Sequence, residues 1–172
     1  SAAVTDVAFA GQTLWSSGRD GTVRAWRVQD GAAQAVLQHP APVSSLDVTP
    51  NRVLTAADDD TVRLWSFDGR LQSELHLPGA RRVRASADGR MLAATTDGPR
   101  VWLCLVAHEV CDPLEGHTAA ARDLEFDPSG RWLVTGSADG DLRVWDVETA
   151  DSRVLRGHEA PVFDIDVSVD GR

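Results

Sequence analysis

The chain has 172 residues, of which 42% are hydrophobic and 25% are charged, and this composition excludes a disordered chain. The formal net charge of −9 argues against a general nucleic-acid surface, because a negative surface repels phosphate. No apolar run approaches the roughly 18 residues of a membrane span, and alternating sequence follows Ser1 without a leader. We therefore expect a cytoplasmic protein with neither a nucleic-acid nor a membrane partner. All 17 basic residues are arginine, a bias that indicates a GC-rich, bacterial genome.

Internal repetition organises the whole chain. Four tryptophans recur at spacings of 39, 37 and 43 residues, and four histidines recur at spacings of 37, 41 and 41. An aspartate precedes three of the tryptophans by six residues, as in the segment DGDLRVW at 139–145. The copies occupy residues 1–36, 37–74, 75–114 and 115–156, and the first strand of a fifth copy is predicted at 157–172.

Each copy alternates apolar and polar residues in short runs separated by Asp-, Asn- and Gly-containing turns. This pattern predicts four strands per copy and almost no helix. In the fourth copy the strands are predicted at 121–126, 132–137, 142–147 and 152–156. Four consecutive strands joined by tight turns form an antiparallel meander.

The fourth copy also carries a recognisable motif. Gly116-His117, the run from Leu124 to Gly130, Asp139 and Trp145-Asp146 stand at the spacing of a WD repeat, and the chain resembles the WD-repeat family. The resemblance implies an all-β fold, a β-propeller of four-stranded antiparallel blades. It implies about four blades plus one extra strand here, as part of a larger, seven-bladed ring. The third copy departs from the motif, with Leu75-His76 in place of Gly-His.

Each copy repeats a set of tryptophan, hydroxyl, histidine and aspartate side chains. A Ser-His-Asp hydrolase triad would be needed only once, and an indole performs no acid-base chemistry, so we interpret the set as structural. The resemblance implies a buried hydrogen-bond chain from Trp through Ser or Thr and His to Asp. Ala93 at the hydroxyl position predicts a broken chain and the loosest blade in the third copy. The predicted structural residues are Ser16, Asp20, Trp26, His39, Thr55, Asp59, Trp65, His76, Asp97, Trp102, His117, Thr135, Asp139, Trp145 and His158.

Cys104 and Cys111 face each other if Ala107-His108 forms a two-residue hairpin turn. A cross-strand disulfide is then geometrically possible, whereas a reduced pair is expected in a cytosolic protein. Together with His108 they supply three candidate zinc ligands where a structural site needs four. The run 58–60 of three aspartates lacks the spacing of a calcium loop. We expect no metal and no cofactor.

Loop positions near the channel of a propeller are the expected contacts for a partner. One such position lies five residues after the histidine, and the other precedes the turn aspartate. Arginine and phenylalanine at these places are typical of interface hot spots, although the arginines can equally offset neighbouring aspartates. An arginine cluster favours an acidic or phosphorylated peptide. The predicted partner-binding face comprises Arg19, Ser44, Asp58, Arg81, Arg82, Arg122 and Phe163.

These patterns predict a non-catalytic protein-interaction scaffold or sensor, linked to a signalling effector in a bacterium. One alternative is a cleavage or assembly fragment, completed by another chain or by sequence absent here. The other alternative is an enzyme, which would need an unrepeated pair of titratable residues. His108 and Glu109 are the only such pair left, and we expect them on an exposed outer hairpin.

Overall fold

The computed structural model describes residues 2–168 and 170, and positions 1, 169, 171 and 172 of the predicted first and fifth copies lie outside them. Contacts divide the chain into two compact units, Ser1–Val83 and Arg84–Arg172. Within the described residues, nearly all regular structure is β-strand, as predicted. No helix there is long and apolar enough to cross a bilayer.

The first unit contains two four-stranded sheets whose strands follow chain order. The first sheet consists of β1 (Val4–Ala10), β2 (Thr13–Gly18), β3 (Thr22–Arg27) and β4 (Ala33–Gln38). The second sheet consists of β5 (Val43–Val48), β6 (Val53–Ala57), β7 (Thr61–Trp65) and β8 (Leu71–His76). All neighbouring strands are antiparallel, as two-residue and longer hairpin turns require.

The third sheet follows next in the chain. It consists of β9 (Ala80–Ala85), β10 (Met91–Thr96), β11 (Val101–Leu105) and β12 (Val110–Leu114). The fourth consists of β13 (Ala121–Phe126), β14 (Trp132–Ser137), β15 (Leu142–Asp146) and β16 (Ser152–Leu155). The fourth-sheet strands agree with the sequence prediction to within one residue at every boundary. Four sheets of four antiparallel strands confirm the predicted blades of a β-propeller.

Within the first unit, the first two sheets pack face to face through the apolar residues of their alternating strands. The shared core contains Trp15, Val23, Ala25, Leu37, Val43, Leu46, Val53 and Trp65. Full burial of an aliphatic side chain stabilises a fold by about 1.5–3 kcal/mol, so this face holds the unit together. A polar contact fixes the register, because Asp6 Oδ2 accepts hydrogen bonds from Ser45 Oγ at 2.9 Å and from the Leu46 backbone N–H at 3.2 Å.

The second unit repeats this arrangement between the fourth sheet and the segment that follows it. The Ile165 backbone N–H donates to Asp123 Oδ2 at 2.9 Å, and Ile165 and Asp123 stand at the repeat positions of Leu46 and Asp6. Gly136 makes room for the segment, since a Cβ there would lie 2.6 Å from Cγ1 of Val162. The segment therefore docks on the fourth sheet as β5 docks on the first.

The predicted strand of the fifth copy is not formed in its described residues, which carry no strand between positions 156 and 168. A strand exists only when its backbone groups bond to a neighbouring strand, and no described strand supplies that partner. The prediction of a fifth first strand is therefore wrong as a statement about secondary structure.

Cys104 and Cys111 form a disulfide, so the expectation of a reduced pair is wrong. The two residues are directly opposed on β11 and β12, with Cα atoms 4.0 Å apart. The connection is longer than the predicted two residues, because a 3-10 turn at Val106–His108 and a left-handed Glu109 separate the strands. The register is nevertheless the predicted one, and it brings the two thiols together.

Reduction of this disulfide is expected to lower the free energy of unfolding by about 2–3 kcal/mol, because the bond closes a short loop in the unfolded chain. Urea denaturation with and without a thiol reductant measures the change. The double variant Cys104→Ala, Cys111→Ala should show the lower stability and no response to reductant. Equal stability of the oxidised and reduced wild-type protein would contradict this expectation.

Candidate functional site

In the fourth sheet, four repeated side chains form one continuous hydrogen-bond chain. The Trp145 Nε1–H donates to Thr135 Oγ1 at 2.9 Å, and Thr135 Oγ1 lies 2.8 Å from His117 Nε2. His117 Nδ1 lies 3.0 Å from Asp139 Oδ2. Because the indole can only donate, the Thr135 hydroxyl is free to donate to Nε2, and Nδ1–H then donates to the carboxylate. The network assigns His117 the neutral Nδ1–H tautomer.

The surroundings of this network fix its charges. Burial raises the pKa of Asp139, but the backbone N–H groups of Thr118 and Asp141 and the ring of His117 outweigh burial and lower the pKa to about 2. Burial lowers the pKa of His117, against the attraction of Asp139. Asp139 is therefore charged and His117 neutral near pH 7.

This geometry does not suit nucleophilic catalysis. The Thr135 hydroxyl belongs to a residue with 0% exposure, and the side chain of His117 is also fully buried. A substrate could not reach either group while the sheet is intact. The same bonds instead connect β14 and β15 to the segment that precedes β13.

The second sheet keeps only part of the chain. Thr55 Oγ1 lies 2.8 Å from His39 Nε2 and accepts from Trp65 Nε1 at 3.0 Å, as in the fourth sheet. Asp59 does not pair with His39, contrary to the sequence prediction. Arg63 binds Asp59 through two nitrogens, at 2.7 and 3.2 Å, because Arg63 is buried and needs an anion.

The binding of Asp59 by Arg63 affects both the hydrogen bonding and the pKa of His39. Its Nδ1 is buried and has no hydrogen-bond partner in the described part of the chain. Burial, followed by the positive charge of Arg63, lowers the pKa of His39 to about 4. The ring is therefore neutral under ordinary conditions.

In the first sheet, the hydrogen-bond chain consists of the bond between its tryptophan and its hydroxyl residue. The Trp26 Nε1–H donates to Ser16 Oγ at 2.8 Å. Asp20 accepts from the backbone and hydroxyl of Thr22, at 3.0 and 2.7 Å, and these bonds lower the pKa of Asp20. Asp20 thus shapes the β2–β3 turn.

The third sheet brings its predicted residues together least. His76 and Asp97 are both exposed, and buried Ala93 occupies the position that Thr135 holds in the fourth sheet, so this copy lacks the hydroxyl of the predicted chain. Trp102 instead lies under the guanidinium of Arg100, at 5.4 Å. His158, at the start of the segment after the fourth sheet, is exposed.

Each of the three consecutive aspartates at 58–60 contacts a different residue. Asp58 pairs with Arg81 at 3.1 Å, and Asp59 pairs with Arg63. Asp60, in a left-handed conformation with φ of 62°, accepts from the Gly79 backbone N–H at 2.9 Å. Over residues 2–168 and 170, no group of three or more His, Cys, Asp or Glu side chains is placed to hold a metal ion.

Part of the predicted partner-binding face comes together in the first unit. Arg19, Ser44 and Asp58 line one cavity of about 320 Å³, and Thr5 lines it as well. Arg81 adjoins it, because its backbone carbonyl accepts from Ser44 Oγ at 2.8 Å and its guanidinium binds Asp58. We call Thr5, Arg19, Ser44, Asp58 and Arg81 the Arg19 face.

The remaining predicted contacts are not among the residues that line this cavity. Arg82 is half-buried in β9. Arg122 and Phe163 lie in the second unit, and both are exposed. His108 and Glu109 are exposed on the β11–β12 hairpin, at the place expected for the pair left over for catalysis.

Sequence reasoning missed a second cavity in the first unit, between the first two sheets. Trp15 and Phe67 line this cavity of about 300 Å³, and their rings stack with centroids 6.1 Å apart. The sequence contained an indication. Trp15 directly precedes the hydroxyl residue Ser16, whereas Leu54 and Val134 occupy that place in the second and fourth copies.

Repeated four-stranded sheets, each closed by an indole-to-hydroxyl bond where the hydroxyl is present, define a β-propeller repeat protein. Residues 31–66 and 109–146 match the family described as WD domain, G-beta repeat. The chain belongs to this WD-repeat family.

Several curated proteins are similar over most of the chain. Ribosome biogenesis protein YTM1 of Kluyveromyces lactis is 31% identical over 80% of this chain and 34% of its own length. Target of rapamycin complex subunit wat1 of Schizosaccharomyces pombe is 27% identical over 88% of this chain and 38% of its own length. Transducin beta-like protein 3 of Bos taurus is 28% identical over 99% of this chain and 24% of its own length. The chain spans well under half the length of these relatives.

Proposed function

We propose that this chain is a protein-binding scaffold that presents the Arg19 face to an acidic segment of a partner. Support comes from the family, since one relative is named as a subunit of a complex. The buried position of His39, His117, Thr55 and Thr135 favours a structural role for them and leaves the loops for recognition.

The observation that carries this proposal is the state of Arg19. Within the described residues, the Arg19 guanidinium makes no hydrogen bond or ion pair, although the side chain lines the cavity of the Arg19 face. Arg81, in contrast, is already neutralised by Asp58. Arg19 is therefore the group available for a bidentate bond to a partner carboxylate or phosphate.

Arg19→Glu is expected to weaken binding to the partner by at least about tenfold, because it places a carboxylate where the acidic segment would dock. Partner proteins would be captured from the native source by the full chain, identified, and their affinities measured with purified material. Acidic and phosphorylated peptides from those partners should reproduce the binding.

Arg70→Glu is a matched control for charge. Arg70 is exposed on the β7–β8 turn beside Asp68, away from the Arg19 face. This variant should bind the partner like the wild-type protein. Equal binding by Arg19→Glu and the wild-type protein would remove the assignment of the face.

We also propose that further blades complete the propeller, supplied by another chain or by additional sequence. Val7 and Phe9 on β1 are 55% and 66% exposed, whereas Leu46 and Phe126 at the same repeat positions are buried. A stable, monodisperse monomer of 18.5 kDa would argue against this completion.

The finer points of the sequence interpretation stay predictions. The three relatives named above come from eukaryotes, so they do not support the bacterial source or its signalling effector. The cytoplasmic location also stays a prediction, and the disulfide is a bond that reducing compartments disfavour.

A further inference from the structure

The second and fourth sheets show what a histidine ring contacts in this fold. In the fourth sheet, His117 Nε2 lies 2.8 Å from Thr135 Oγ1, and Nδ1 lies 3.0 Å from Asp139 Oδ2. In the second sheet, His39 Nε2 lies 2.8 Å from Thr55 Oγ1. Both histidines precede the first strand of their sheet by four positions. The ring therefore enters each sheet from the segment before its first strand.

A cavity of about 310 Å³ lies at the corresponding place of the first sheet. Ser16, Asp20 and Trp26 line it, at the repeat positions of the three residues that surround the ring of His117. The position of the ring itself falls immediately before Ser1. Ser16 and Trp26 are half-buried, whereas their counterparts in the second and fourth sheets are buried. The Asp20 side chain is 43% exposed, so a ligand can reach the cavity from solvent.

The Ser16 hydroxyl has a proton to donate to a ring nitrogen. Ser16 Oγ accepts from Trp26 Nε1–H at 2.8 Å, and the equivalent bond to Thr135 Oγ1 in the fourth sheet is 2.9 Å long. An indole N–H only donates, so this bond uses a lone pair of the oxygen and leaves the hydroxyl proton. In the fourth sheet the corresponding hydroxyl lies beside Nε2 of His117. Ser16 can therefore donate to an unprotonated ring nitrogen in the cavity.

The Asp20 carboxylate has the orientation found in the fourth sheet. In both Asp20 and Asp139, Oδ1 accepts from the backbone N–H two residues later, at 3.0 Å. Asp139 Oδ2 then lies beside His117, so Asp20 Oδ2 is the oxygen that meets a ring N–H. Arg24 approaches this oxygen at 3.4 Å, but both side chains of the pair are 43% exposed, and such surface pairs contribute little. A ring N–H can replace this contact.

We infer that this cavity is a binding site for an imidazole ring, the side chain of a histidine outside residues 1–172. The unprotonated ring nitrogen accepts from the Ser16 hydroxyl, and the ring N–H donates to Asp20 Oδ2. Two sources share this chemistry, namely a histidine placed directly before Ser1 and a histidine of a partner segment. Arg19 does not line the cavity, so the site does not rest on the acidic contact of the Arg19 face.

4-Methylimidazole is the free form of the histidine side chain and serves as the probe. The full chain is titrated at about pH 8.5, where most of the probe is neutral. Binding should shift the Trp26 indole N–H and the Thr22 backbone amide selectively and saturably in two-dimensional nitrogen–proton NMR spectra. Trp26→Phe identifies the indole resonance by its loss. A ligand this small is expected to bind in the millimolar range.

1-Methylimidazole is an isomer of the probe that keeps the acceptor nitrogen and lacks the N–H. It should bind about fivefold more weakly, since its bond to Asp20 is lost. Ser16→Ala should weaken binding of 4-methylimidazole by a similar factor, judged from the Thr22 amide. Thr13→Ala is the matched control, because it removes a hydroxyl of the same strand that does not line this cavity. This variant should bind the probe like the wild-type protein.

A chain with one histidine joined before Ser1 separates the two sources of the ring. Loss of probe binding in this chain assigns the site to a histidine of the same chain, at the place that His39 and His117 hold in their copies. Unchanged probe binding assigns the site to a histidine of a partner segment. A chain with glycine joined at the same place is the control and should bind the probe like the original chain.

Unsaturable shifts, or equal affinities for 4-methylimidazole and 1-methylimidazole, would overturn the inference. Equal affinity of Ser16→Ala and the wild-type protein for the probe would show that the ring binds elsewhere than in this cavity, and the site would be abandoned.

Discussion

Thr135→Val is expected to lower the free energy of unfolding by about 2–4 kcal/mol, since it removes one oxygen that serves two buried groups. The Trp145 Nε1–H loses its acceptor at 2.9 Å, and His117 Nε2 loses its partner at 2.8 Å. Valine has nearly the shape of threonine, so the loss reports on hydrogen bonding and not on packing. Urea denaturation of the wild-type and variant proteins measures the difference.

Two control variants test this explanation. Thr149→Val removes a hydroxyl from the exposed β15–β16 turn of the same sheet, and should change stability by less than about 0.5 kcal/mol. Ser16→Ala removes an acceptor that serves only Trp26, so its effect should be smaller than that of Thr135→Val. Equal losses for all three variants would contradict the network interpretation.

The four members of the fourth-sheet network should also act together. His117→Leu should cost less stability in a Thr135→Val background than in the wild-type protein, because the shared bond is already lost. A double-mutant cycle measures this coupling, and independent contributions would give strictly additive losses. If His117→Ala instead abolished turnover of a substrate while the fold stayed intact, the structural role of these residues would be wrong.

Local sequence determined the parts of the fold that were predicted well. Strands β13 to β16 follow from alternation and from turn residues, which act over a few positions, and their boundaries were predicted to within one residue. The bonds from Trp26, Trp65 and Trp145 to hydroxyl groups join adjacent strands, so their register also follows from the hairpin turns.

The features that were missed depend on competition between side chains distant in sequence. The sequence assigned the Asp59 carboxylate to His39. In the structure, buried Arg63 binds this carboxylate instead, and Arg63 also binds Glu74, which lies opposite it on β8. No sequence pattern in the second copy predicts whether Arg63 or His39 binds the Asp59 carboxylate. The cavity lined by Trp15 and Phe67 likewise emerges only when the first two sheets pack.

The burial of His39, followed by the positive charge of Arg63, predicts a marked dependence of stability on pH. An unfolded histidine takes up a proton near pH 6.5, whereas His39 in the folded protein resists protonation until about pH 4. Between these values the unfolded state binds more protons, so acidification favours unfolding. The pKa difference corresponds to a loss of about 3 kcal/mol as the pH falls from 6.5 to 4. His117 contributes in the same direction, since burial lowers its pKa as well.

The free energy of unfolding, measured by urea denaturation at intervals from pH 7 to 4.5, should therefore fall as the pH falls. His39→Leu should be less stable at pH 7 but should show a flatter pH dependence, because the titrating group is gone. His76→Gln removes an exposed histidine and should keep the wild-type slope. A folded-state titration of His39 near pH 6.5 in NMR spectra would contradict the prediction.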